Sequence, residues 1–181
     1  MNGWHLVEQV AQACFDHKIE LVFYPGALTP EGDLGEFDPY NGHLVVAAKD
    51  PDWLYVLAHE MGHLEQWATN HPTWYPERND FMTLSLWLKR KQEYDGRAFV
   101  HAVRRVQRCE HFAEKYALQL LRKYDHPDVS RYCQMANFGL WRFEHLRQTR
   151  SWIDQTDERV AKMPKRLIST ARAIKLPTGW G

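Results

Sequence analysis

The chain has 181 residues, 44% hydrophobic and 13% aromatic, which suits one compact domain with a real core. Formal net charge is zero and no run of about 18 apolar residues occurs, so no membrane span is expected. Three cysteines with no C-x-x-C pair speak against a disulfide framework. The start, MNGWHLVEQVAQ, lacks the basic-then-apolar order of a secretory signal, and together these make a cytoplasmic setting the expectation.

In chain order, residues 4–17 place Leu6, Val7, Val10, Ala11, Cys14 and Phe15 on one helical face. IELVFY, 19–24, reads as a strand that Pro25-Gly26 ends, and a short strand is expected around Leu34–Phe37. Asn41-Gly42 is a hairpin-type turn signal, and HLVVAA, 43–48, follows as another strand. Asp50-Pro51-Asp52 then opens a helix predicted to reach about Ala68, with Asp50 as its cap and Pro51 in its first turn. After a loop at 70–77 the pattern is helical: 79–93, 97–124, 128–150, and a shorter stretch at 156–174 interrupted at Pro164. Tyr132, Ala136, Leu140 and Phe143 mark the inner face of the third of these. Strands early and helices late predict an α+β fold.

Charge is unevenly spread. Residues 1–80 hold 3 Lys and Arg against 13 Asp and Glu, and residues 81–181 hold 20 against 10. Two halves that neutralise each other on folding account for this, and a basic helical surface for an acidic partner is the sharper reading. No Arg/Lys-rich tail or zinc-finger spacing supports nucleic-acid binding, so none is expected.

The stretch LAHEMGHLEQW, 57–67, carries the chemistry. Residues i and i+4 of a helix lie on one face, so His59 and His63 can aim two imidazoles at one point, with Glu60 beside them. That is the arrangement of a catalytic zinc: three protein ligands, a position left for water, and a carboxylate to take the water's proton. One face of the same helix carries Leu54, Leu57, Ala58, Met61 and Leu64. A second carries Val56, His59, Glu60, His63 and Trp67, as a helix lying under a cleft would. Gly62 leaves room beside the metal.

A third ligand is required. The metzincin extension would need glycine at 66 and histidine at 69, where the chain has Gln66 and Thr69. A glutamate from a second helix is the other route. Glu110 and Glu114 share a face at i, i+4 spacing, so Glu110 can bind the metal while Glu114 accepts a proton from a ligand imidazole. Glu114 itself, His101 and His111 are the alternatives.

These residues carry a family resemblance. LAHEMGHL, followed by Glu110, Ala113, Ala117, Leu120 and Leu121 in the pattern E-x-x-A-x-x-x-A-x-x-L-L, resembles the gluzincin-type peptidases, and within them the ImmA/IrrE-like zinc peptidases of bacteria and their phages. DWLYVLAHEMGHLEQW, 52–67, is also similar to uncharacterised phage-encoded proteins of this kind. The resemblance covers roughly residues 19–121. It implies a zincin-like fold, Zn²⁺ held by His59, His63 and Glu110, and Glu60 as general base. It departs from the family in the long gap between His63 and Glu110 and in Glu114, where Asn or Asp is common.

Among other residues, Cys109 and Cys133 read as packing. Trp53, Trp67, Trp74, Trp87 and Trp141 read as core and cleft walls, and His43 as a surface residue. Tyr132, His145 and Tyr94 are candidate donors to an oxyanion. The expectation is therefore a single zincin-like domain over 1–181, with a core at roughly 19–121 and a helical extension at 127–175. Its function would be zinc-dependent hydrolysis of a peptide bond in a protein substrate, such as a regulatory repressor, within a bacterial or phage-infected cell. The alternative is a non-catalytic, zinc-containing interaction protein.

Overall fold

The computed structural model describes residues 3–74, 84, 86–87 and 96–153. The order is α1 (Trp4–His17), β1 (Glu20–Tyr24), β2 (Gly35–Asp38), β3 (His43–Ala47), α2 (Trp53–Ala68), α3 (Gly96–Lys123) and α4 (Val129–Thr149). The early sheet and helical second half bear out the α+β expectation. The helices expected at 79–93 and 156–174 fall outside the described residues, except that Leu84 and Trp87 pack on α3 and α4. None of the described helices is long and apolar enough to cross a membrane.

The sheet has the order β1-β3-β2, with β1 parallel and β2 antiparallel to β3. The turn signal before β3 is confirmed and has an additional organiser. Asp38 accepts from the backbone N–H of Tyr40 at 2.8 Å and of Asn41 at 3.1 Å, and Gly42 takes a φ of 71°. The central strand buries Leu44 and Val46 completely, and β2 forms an edge of the sheet.

The start of α2 differs from expectation. The helix begins at Trp53, and Asp50 accepts from the Asp52 N–H at 2.8 Å in the turn before it, without capping. Asp52 occupies the cap position but makes no cap hydrogen bond. Its carboxylate instead pairs with Arg131 at 2.8 Å, tying the starts of α2 and α4 together. The α4 cap is conventional: Asp128 accepts from the Arg131 N–H at 2.9 Å.

Two apolar clusters form. The larger joins α1, the sheet, α2, the second half of α3 and the start of α4, with Leu57, Met61, Leu64 and Leu121 fully buried. The smaller joins Phe99, Val103 and Val106 of α3 to Leu146 of α4. Of the predicted α4 face, Tyr132, Ala136 and Leu140 enter the larger cluster, and Phe143 packs on the smaller.

One contact sets the distance between α2 and α3. A Cβ placed on Gly62 would stand 2.7 Å from Ala113 Cα and 2.8 Å from Ala113 O. The room that Gly62 leaves is therefore taken by the α3 backbone, which corrects the expectation that it lies beside the metal. A side chain at 62 would push the helices apart. Glycine's cost to the helix, about 1 kcal/mol against alanine, is offset by this close approach.

Candidate metal centre

Helical periodicity puts His59 and His63 one turn apart, and the close α2–α3 packing brings Glu110 to them. His59 Nε2 lies 3.1 Å from His63 Nε2 and 3.3 Å from Glu110 Oε2, and His63 Nε2 lies 3.7 Å from the same oxygen. Donors held at about 2.0–2.1 Å around a tetrahedral zinc stand about 3.3 Å apart, so the three spacings fit such an ion. His59, His63 and Glu110 thus form a group able to hold a metal.

The other imidazole nitrogens are also held. His59 Nδ1 faces Glu114 Oε1 at 3.4 Å, and the Tyr132 hydroxyl donates to the other Glu114 oxygen. His63 Nδ1 lies 2.9 Å from Gln66 Oε1. Two Nε2 lone pairs at 3.1 Å repel unless a cation or proton lies between them. Burial opposes a charged His59, but the carboxylates of Glu114 and Glu110 outweigh it and hold its pKa up to about 10. His63 is likewise held well above its ordinary value, against burial, chiefly by Glu110. Burial pushes the Glu110 carboxyl up, and the two imidazoles outweigh that and keep it ionised.

Glu60 stands apart from this network. It is 7% exposed, and among the described residues its carboxylate has no hydrogen-bond partner. Burial raises its pKa, while His59 and His63 pull it down. It lines a cavity of about 990 Å³ together with the three metal-site residues, Glu114, Tyr132, Trp74 and the whole of β2. Gly35 lets β2 approach α2 here, since a Cβ on it would run into Val56 Cγ1 and stand 3.2 Å from Glu60 Cγ.

The two histidine alternatives for the third ligand are elsewhere. His101 is exposed on α3, and His111 is half-buried with an unpartnered Nε2; neither lines the cavity. Of the oxyanion candidates, Tyr132 lines the cavity but spends its hydroxyl proton on Glu114. His145 bonds Ser151 at 3.1 Å away from the cavity, and Tyr94 lies outside the described residues. Cys109 and Cys133 pack, as expected, and all three cysteines are free. His43 is not isolated: it forms a second possible metal group with Glu36 and Asp38. The Asp38 oxygens there are already occupied by the Tyr40 and Asn41 amides.

Sequence reasoning passed over Gln66, Thr73 and Gly35. Gln66 had a usable signal, since i+3 from His63 is the same helical face. Thr73 and Gly35 had none, because their contacts are set by loop and strand placement. Trp74, predicted as a cleft wall, lines the cavity and lies 6.1 Å from the His63 ring, centroid to centroid. Comparison with family models, with curated proteins and with solved structures finds no match for this chain.

Proposed function

We propose that the protein is a zinc-dependent peptidase of gluzincin type, with a zincin-like fold and a protein or peptide substrate. The observation that carries this reading is Glu60: a buried carboxylate in the cavity wall, without a hydrogen-bond partner among the described residues, next in sequence to a histidine of the group able to hold a metal. A site that only stabilises a fold has no use for such a group, whereas hydrolysis needs a base there. This favours the enzyme over a non-catalytic metal protein.

His59, His63 and Glu110 would hold the ion. Zinc there would supply Lewis acidity, making water more acidic and, by polarising a carbonyl oxygen, the carbonyl carbon more electrophilic. Glu60 takes the proton of the attacking water on its carboxylate and can return it to the leaving amine. Glu114 and Gln66 hold the imidazoles in place. The outer edge of β2 lies along the cavity, and an extended peptide can add to a sheet edge through backbone hydrogen bonds. The resemblance of LAHEMGHL and the Glu110 helix to ImmA/IrrE-like peptidases supports the same reading and points to a regulatory protein, such as a repressor, as substrate.

The test is cleavage of a diverse peptide library by purified protein loaded with one equivalent of zinc. Hydrolysis that a chelator stops, zinc restores and His63→Ala lacks is the expected result. Cleavage indifferent to metal, or a parent chain that binds no zinc, would overturn the reading.

A further inference from the structure

Gln66 is fully buried on α2, and its side-chain amide makes a contact at every hydrogen-bonding position it has. Nε2 lies 2.8 Å from Thr73 Oγ1 and 3.1 Å from the Cys109 carbonyl oxygen. Oε1 lies 2.9 Å from His63 Nδ1 and 3.6 Å from Cys109 Sγ. Amide orientation is inferred from such partners, and here one of them is decisive. A backbone carbonyl only accepts. Turning the amide over would set oxygen against oxygen at the Cys109 position, so Nε2 must face Cys109 and Oε1 must face His63. Oε1 cannot donate, so His63 Nδ1 must carry a proton. In the neutral imidazole the lone pair is then on Nε2, the nitrogen directed at His59 and Glu110.

We propose that Gln66 is the positioning residue of His63, its amide locked by Thr73 and the Cys109 carbonyl so that His63 presents Nε2 as a ligand. This rests on the metal-site reading above. The two imidazoles are then fixed by different chemistry. His59 leans on a carboxylate from α3, and His63 on a neutral amide from its own helix. Through Thr73, which also contacts His71 Nδ1 at 2.8 Å, the lock extends to the turn that carries Trp74 into the cavity wall.

The test compares zinc affinity, by competition with a chromophoric chelator, in the parent, Gln66→Met and Gln66→Glu. Methionine fills similar volume but accepts nothing useful from His63. Glutamate keeps the acceptor while setting a charge against the Cys109 carbonyl. A positioning role orders the affinities with glutamate near the parent and methionine about 10–100-fold weaker. A role in packing alone reverses that order, and methionine binding as tightly as the parent overturns the proposal. Long-range ¹H–¹⁵N correlation on the zinc-loaded parent decides the same point without a variant. A proton on His63 Nδ1 is expected, and a proton on Nε2 overturns the proposal even if the variants fail to fold. Failure of the parent to bind zinc would instead bring down the metal-site reading, and this inference with it.

Discussion

Gly62 and Ala113 touch backbone to backbone, with 2.7 Å between the position of a Cβ on one and the Cα of the other. This contact lets Glu110, three residues before Ala113, reach the imidazoles on either side of Gly62. Gly62→Ala is therefore expected to act on both stability and the metal. Overpacking costs about 1–3 kcal/mol, against about 1 kcal/mol gained in helix propensity. Because a rigid backbone is what must yield, a lower melting temperature is expected, together with weaker zinc binding as α3 moves away. An unchanged melting temperature and zinc affinity would mean that the helices slide past each other freely.

Ligand and orienter on α3 should separate by degree. Glu110→Ala removes one of three donors and is expected to abolish tight zinc binding. Glu114→Ala leaves all three and is expected to weaken it about 10–100-fold. Tyr132→Phe acts only through Glu114 and should do less. Chelator competition ranks the three, and the reverse order for the two glutamates would move the ligand one turn along the helix.

Glu60→Gln is expected to keep zinc and lose turnover, by about 10²–10⁴-fold. Burial raises the Glu60 carboxyl, so at neutral pH its ionised form opposes folding. The amide removes that opposition, and the variant should melt no lower than the parent. Peptide hydrolysis at the parent rate would leave Glu60 without a role in the chemistry.

The metal-free site should hold a proton that zinc displaces. The folded His59 pKa, about 10, lies above its ordinary 6.5. Its charged form therefore favours folding fully below about pH 6.5, and that contribution is lost as pH rises toward 10. Zinc needs the neutral ring, so its affinity should rise with pH across the same window. Because His63 is held up as well, titration calorimetry near pH 7, in buffers of different ionisation enthalpy, is expected to show release of at least one proton per zinc. Binding without proton release would mean that both imidazoles are already neutral.

The elements that chemistry along the chain specifies were legible in the sequence. His59 and His63 face one way because a helix turns once in about 3.6 residues, whatever surrounds it. The turn at Asn41-Gly42 follows from a positive φ that glycine tolerates, and the buried face of α4 from the spacing of Tyr132, Ala136 and Leu140. That Glu110 and Glu114 share a helical face follows from periodicity too, but which imidazole each of them meets does not. What only the tertiary structure decided are distances between elements far apart in the chain. The sheet order β1-β3-β2 places a parallel pair side by side across an intervening strand, and no local signal encodes it. Gly62 reads in sequence as room beside a metal, and its reason is a backbone 51 positions away. Asp50 reads as the cap of α2, yet the helix starts one residue after Asp52, whose carboxylate pairs with Arg131 from another helix. Gln66 entered the sequence argument only as the absence of a glycine. Its partners Thr73 and Cys109 come from a turn and from another helix, and hydrogen bonds to such groups exist only once the backbone has brought them within about 3 Å.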